Sequence, residues 1–135
     1  MMSTAVRYYS RSGNTELVAE AIAKALGVSA VSVDRPEAAL TERADVLFIG
    51  GALYAYGLDR HLKEYLGSLD RNKVGRAVVF STSWISRHSI DLIRKALEEK
   101  GVPVAEETFY VKNRPNTAQM QEAADFARKM SERHD

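Results

Sequence analysis

The stretch Asp45-Val46-Leu47-Phe48-Ile49-Gly50-Gly51 constrains this chain more than any other. Successive side chains of a strand point to opposite faces. Here the residues on both faces are apolar, so both faces have to be covered. That pattern belongs to an interior strand of a parallel sheet flanked by helices. The remaining sequence supplies the frame. Ala5-Val6-Arg7-Tyr8-Tyr9 reads as a first strand, within an apolar run that begins at Thr4. From Thr15, the residues Leu17, Val18, Ala21, Ile22, Ala25 and Leu26 recur at helical spacing, and Gly27 ends the run. Val28 to Val33 reads as a second strand, and Pro36 to Leu40 as a short helical turn opened by proline. Leu58 to Leu69 reads as a helix with Leu58, Leu62, Tyr65, Leu66 and Leu69 on one face. Arg76 to Thr82 is a fourth strand, Ile90 to Lys100 a helix, Val102 to Val111 a fifth strand and Thr117 to Arg133 a last helix. Five strands alternating with helices predict an α/β fold: a doubly wound parallel sheet in three layers, with right-handed crossovers.

The 135 residues are enough for one domain, 1–135, and too few for two. No apolar run reaches the roughly 20 residues that span a bilayer, so no membrane insertion is expected. The N-terminal residues show no basic region followed by an apolar one, which favours a cytoplasmic protein. Cysteine is absent, which removes disulfides, thiol chemistry, Fe–S clusters and Cys-ligated zinc. A net charge of +1 gives no nucleic-acid footprint. His61, His88 and His134 lie in separate segments without metal-ligand spacing, so no metal is expected. Ser86, His88 and Asp91 hold the ingredients of a hydrolase triad. They are too close in sequence to reach triad geometry, and no nucleophile elbow is present. No catalytic residue is assigned.

The chemistry-bearing segment is Ser10-Arg11-Ser12-Gly13-Asn14-Thr15, between the first strand and the first helix. A helix N-terminus carries backbone N–H groups with no intrahelical partner, and its dipole favours negative charge. Hydroxyls add short donors, and Gly13 allows close approach or positive φ. Together these make a phosphate site. The bland alternative is a Ser or Asn cap with no ligand. Arg11 reads first as a solvated side chain and second as a phosphate ligand. In a doubly wound sheet, ligands sit outside the carboxyl ends of the strands, where the strand order reverses. With the order 2-1-3-4-5, the loops after strands one, three and four converge there. The loops after strands three and four span Gly50 to Gly57 and Thr82 to His88.

The chain resembles the flavodoxin family over nearly its full length. The resemblance rests on Tyr8-Tyr9-Ser10-Arg11-Ser12-Gly13-Asn14-Thr15-Glu16, then Ala19, then Phe48-Ile49-Gly50-Gly51-Ala52-Leu53-Tyr54. It implies non-covalent FMN and electron transfer with a redox partner protein or a small electron donor or acceptor. Ser10, Ser12, Gly13, Asn14 and Thr15 would hold the FMN phosphate. Ala52, Leu53 and Tyr54 would lie against one face of the isoalloxazine. Ser83 and Trp84 would cover the other side and the pyrimidine edge. Arg11, Ala55, Tyr56, Gly57 and Thr82 complete the set expected at the cofactor. The chain is expected to be a monomer.

The chain also departs from the family. Flavodoxins are usually strongly acidic; here the candidate loops carry Arg11, Arg60, Arg87, Lys112 and Arg114 against Glu16 and Asp59. Cations near the ring would stabilise an anionic reduced flavin. Tyr54 is followed by Ala55 and Tyr56 where flavodoxins commonly place a glycine whose peptide flips, so little semiquinone stabilisation is expected. The alternatives are a small FMN-dependent quinone or flavin reductase and a flavin-free interaction module on the same fold. A phosphoacceptor receiver shares the strand order, but it needs acids where Tyr9-Ser10 and Gly50-Gly51 stand.

Overall fold

The computed structural model describes residues 3–54, 57–83 and 86–132. Its elements run β1 (Thr4–Tyr8), α1 (Asn14–Leu26), β2 (Ala30–Ser32), a 3-10 turn (Pro36–Ala38), β3 (Ala44–Gly51), β4 (Leu53–Tyr54), β5 (Gly57–Leu58) and α2 (Arg60–Ser68). A second 3-10 turn (Arg71–Lys73), β6 (Val74–Thr82), α3 (His88–Glu99), β7 (Phe109–Val111) and α4 (Thr117–Glu132) follow. The main sheet has five strands in the order β2-β1-β3-β6-β7, and every pairing in it is parallel. Counted among themselves, those strands run 2-1-3-4-5, the order expected of this fold.

The apolar run of β3 does what its composition requires. Val46 and Phe48 pack with Val18, Ala19 and Ile22 of α1 and with Ala123, Ala127 and Met130 of α4. Leu47 and Ile49 pack on the opposite face with Leu62 and Leu66 of α2 and Ile93 and Leu97 of α3. β6 repeats the alternation, with Val78 and Phe80 on the first side and Ala77 and Val79 on the second. Phe48, Phe80, Ile49 and Leu47 are wholly buried. Each such side chain contributes about 1.5–3 kcal/mol of transfer free energy. Tyr8 and Tyr9 fall on opposite sides of the sheet.

Three expectations are corrected. The fifth strand is not continuous from Val102 to Val111. Val104 makes an isolated bridge to Ala77, and regular pairing resumes only at Phe109. Pro103 has no N–H to donate, and the carbonyl of Ala105 accepts from the Arg94 guanidinium at 2.7 Å instead of from a neighbouring strand. The second strand begins two residues late because Val28 closes α1. Gly27 is left-handed at φ 70°, and the N–H of Val28 donates to the Ala23 carbonyl at 3.0 Å, a Schellman closure. The segment between Gly51 and α2 is a small antiparallel hairpin, pairing Leu53 with Leu58 and Tyr54 with Gly57. Leu58 is therefore in a strand, and α2 starts only after Asp59.

Candidate functional site

The carboxyl ends of β1, β3 and β6 lie side by side in the sheet, so the three segments that follow them share one end of the molecule. The first segment enters α1 through Gly13, which is left-handed at φ 94°. No side chain caps the helix. The Ser10 hydroxyl accepts from the Gly13 N–H at 2.9 Å, and the Ser12 hydroxyl accepts from the Asn14 N–H at 3.4 Å. These bonds curl the loop and leave the N–H groups of Thr15 and Glu16 at a helix start with no intrahelical acceptor. A helix of 13 residues backs them with its dipole. Thr15 is buried, and its hydroxyl pairs with that of Thr82 at 2.7 Å, tying the helix start to the end of β6. Glu16 is held away by Tyr8, whose hydroxyl donates to Oε2 at 3.1 Å. Burial and the Glu16 carboxylate push the Tyr8 phenol up to about 12.

The second segment begins at Gly50-Gly51, where sterics demand glycine at Gly50 and crowd a side-chain end at Gly51. A Cβ on Gly50 would run into the Phe80 ring and carbonyl, and one on Gly51 into Leu62. The Gly51 carbonyl accepts from the buried Ser81 hydroxyl at 2.6 Å, and Ser81 is paired in turn with Ser89 of α3 at 2.6 Å. Ala52, Leu53 and Tyr54 follow, all half-buried, and Gly57 supplies a positive φ of 108°. Arg11 is exposed, as the sequence reading has it, but its side chain is also engaged. Its guanidinium lies 4.0 Å from the centroid of the Tyr54 ring, and its Nε donates to Asp59 Oδ2 at 2.9 Å.

Asp59 is the hub of this corner. It is 4% exposed. Oδ2 accepts from Nε and Nη2 of Arg11, while Oδ1 accepts from the His61 N–H at 2.7 Å, which caps α2. The His61 ring contacts the same Oδ1 at 2.9 Å and stacks on Tyr9 with centroids 4.8 Å apart. Burial pushes the Asp59 carboxyl up, but the His61 N–H, Arg11 and the His61 ring together hold it below the usual carboxylate range. Burial raises the Tyr54 phenol against the opposing pull of Arg11.

The third segment follows β6. Thr82 and Ser83 are buried. The Ser83 N–H donates to the Val111 carbonyl at 3.2 Å, and the Tyr110 hydroxyl donates to the Ser83 carbonyl. Arg87 sits over the Tyr110 ring, 5.2 Å from its centroid. Ala55, Tyr56 and Trp84, which the sequence also points to, lie outside the described residues. Ser86, His88 and Asp91 form no triad: the Ser86 hydroxyl accepts from the His88 backbone N–H, and His88 Nδ1 stands 3.8 Å from Asp91.

Sequence reasoning counts Asp59 and Arg87 only as charges, and it misses His61 and Tyr110. Asp59 carries a readable signal, because an Asp directly before a helical run is a favoured cap. The Tyr9–His61 stack and the Tyr110–Ser83 bond have none, since each joins residues far apart in the chain.

A doubly wound parallel sheet whose first helix opens on an uncapped, glycine-turned N-terminus, with two further loops beside it, defines a nucleotide-type α/β binding protein. Residues 5–124 match the family model described as a flavodoxin domain, and the chain belongs to that family. Flavodoxins bind FMN and transfer electrons to partner proteins. No curated protein sequence matches the chain. Among solved structures, oxidised flavodoxin 1 from Bacillus cereus is similar at 22% identity and TM-score 0.79, covering 98% of this chain and 99% of that one. A flavodoxin from the domain Archaea is similar at 23% identity and TM-score 0.75, covering 97% of each. Rubredoxin oxygen:oxidoreductase from Desulfovibrio gigas matches at 17% identity and TM-score 0.79, with 96% of this chain laid on 35% of that one. These likenesses show the shared fold. No described helix is long and apolar enough to cross a membrane.

Proposed function

We propose that this chain carries electrons through a non-covalently held FMN seated across the three segments. The observation that carries the reading is the start of α1: a left-handed Gly13, no side-chain cap and two serine hydroxyls in the preceding turn. A simply capped helix would place a Ser or Asn side chain on its own first-turn N–H groups. Here Ser12 reaches only the Asn14 N–H, at a long 3.4 Å, and the N–H groups of Thr15 and Glu16 remain to suit a dianionic phosphate. Ser10 and Ser12 would supply hydroxyls. Thr15 would supply its backbone N–H, since its own hydroxyl is engaged by Thr82. Tyr54 and its hairpin would flank the isoalloxazine on one side, and the Thr82–Ser83 segment would close the other. The bound flavin supplies the redox chemistry; the protein's part is to grip it, exclude water and set the surrounding charge.

The charge near the ring favours two-electron over one-electron chemistry. Asp59 neutralises Arg11 locally, so the excess positive charge comes from Arg87, Lys112 and Arg114 on the β6–β7 side, all exposed. An acidic partner protein or a small anionic donor fits that side. Exchange rates with such a partner should fall as salt rises; rates indifferent to ionic strength would remove steering as the selector. The primary test is quenching of flavin fluorescence by the purified protein, FMN against phosphate-free riboflavin. Tight FMN binding with weak riboflavin binding supports the site. No binding of either would leave a flavin-free interaction module. An anaerobic reductive titration that accumulates abundant one-electron-reduced flavin would reject the two-electron preference.

A further inference from the structure

Resting on the FMN reading, we infer that Arg11 serves the flavin ring and not the phosphate: it is the positioning residue that fastens the Leu53–Leu58 hairpin against the loop after β1. Its place in the sequence argues for the opposite role. Arg11 stands inside the phosphate-type loop, and a guanidinium fork is a good match for phosphate. In the structure the Nε–Nη2 edge of that fork is turned to Asp59. Nε and Nη2 both donate to Asp59 Oδ2, and the guanidinium plane covers one face of Tyr54 at 4.0 Å.

Turning Arg11 toward a phosphate would be costly. Asp59 is almost wholly buried, and its other oxygen is committed to the His61 N–H and ring. Withdrawing Arg11 would leave a buried carboxylate without its main counter-charge. Meanwhile the phosphate corner has donors of its own in Ser10, Ser12 and the first-turn N–H groups. The clamp spans both segments: Tyr9 and Arg11 come from the end of β1, and Tyr54, Asp59 and His61 from the hairpin and α2. With one face of Tyr54 taken by the guanidinium, a flavin would stack on the opposite face. The orientation of that tyrosine, and so of the ring on it, depends on Arg11.

The two roles separate by ligand. FMN and riboflavin share the ring and differ in the phosphate. Binding of both to the wild-type chain, R11A and R11K is measured by fluorescence quenching, with visible circular dichroism of the bound flavin as a second signal. The clamp predicts that R11A weakens both flavins by the same factor, on the order of ten-fold. It also predicts an altered dichroism band and no recovery in R11K, because lysine keeps the charge but lacks the planar fork. A loss confined to FMN, full recovery in R11K, or unchanged binding and dichroism in R11A would overturn it. A measurement on the flavin-free protein stands beside these: the Asp59 carboxyl, followed by NMR, should titrate higher in R11A than in wild type. An unchanged titration also overturns the clamp. Failure of the wild-type chain to bind either flavin would sink the FMN reading and the ring role with it. Wild-type binding with a loss confined to FMN sinks the ring role alone.

Discussion

The two ends of the candidate site are built from different materials. The phosphate-type corner uses backbone N–H groups, a glycine and short hydroxyls, nearly all within six consecutive residues and one partner, Thr82. The ring-side corner uses long side chains drawn from distant places: Arg11 on Asp59, 48 residues away, the Tyr9–His61 stack and the Tyr110–Ser83 bond. A short-range device of that kind is written into local sequence. A long-range device exists only once the sheet has brought its parts together. The contrast also predicts how each corner fails: the first through backbone geometry, the second through loss of a charge or ring partner.

The sharpest break comes from Gly13→Val. A β-branched residue at φ 94° is strained by about 1–3 kcal/mol, and relief of that strain would shift the turn that presents the first-turn N–H groups. FMN affinity should drop on the order of a hundred-fold while riboflavin binding changes little. Equal losses for both flavins would erase the distinction between the corners. Next is Asp59→Ala, which removes the α2 cap and strands Arg11. Denaturant unfolding should show a loss of about 2–3 kcal/mol, from the cap and the broken pair together. Thr15→Val should cost about 1 kcal/mol of stability by leaving the Thr82 hydroxyl unpaired. A double-mutant cycle with Thr82→Val should recover part of that loss. Additive effects would mean the two hydroxyls do not act as a pair.

The smallest effects lie in the pH profile. The Asp59 carboxyl titrates lower in the folded chain than in the unfolded one. The stability it contributes is present above the ordinary carboxylate range and lost as pH falls through the folded value. Asp59→Asn should flatten that acid limb. Tyr8 behaves in the opposite sense. Its folded pKa of about 12 lies above the ordinary phenol value of 10.0, so its contribution is complete below pH 10 and disappears as pH climbs toward 12. Tyr8→Phe should flatten only this alkaline limb, and an unaltered limb would show that the Tyr8–Glu16 bond carries no linkage.

Most of the frame was legible because its signals are periodic. The two-sided apolar run of β3 and the helical spacing of α1 each announce burial on known faces, and the alternation gave the parallel α/β class, while the strand order came with the family resemblance. The failures have local causes. Val28 looks like strand but is consumed by the Gly27 helix closure. The fifth strand breaks where Pro103 and the Arg94–Ala105 bond withdraw ladder partners. The Leu53–Leu58 hairpin has only two residues per strand, too few for periodicity to register. At the candidate site, the Ser10 to Thr15 turn into α1 was legible because its glycine and hydroxyls are contiguous. Arg11 is exposed as its sequence suggests, but its pairing was not legible, because Asp59 signals its helix cap and nothing about a guanidinium from another loop.

Ser83 hangs from β7 by the Val111 carbonyl and the Tyr110 hydroxyl, and β7 is a three-residue edge strand paired on one side only. The inner strands are held from both sides, so fraying of the native state begins at such an edge. Whenever β7 lifts, Ser83 loses these two bonds in the same event. Amide hydrogens of Ser83 and Val111 should therefore exchange together, faster than those of Phe48 or Val78. The door on that side of the site would open at the rate set by its flimsiest hinge.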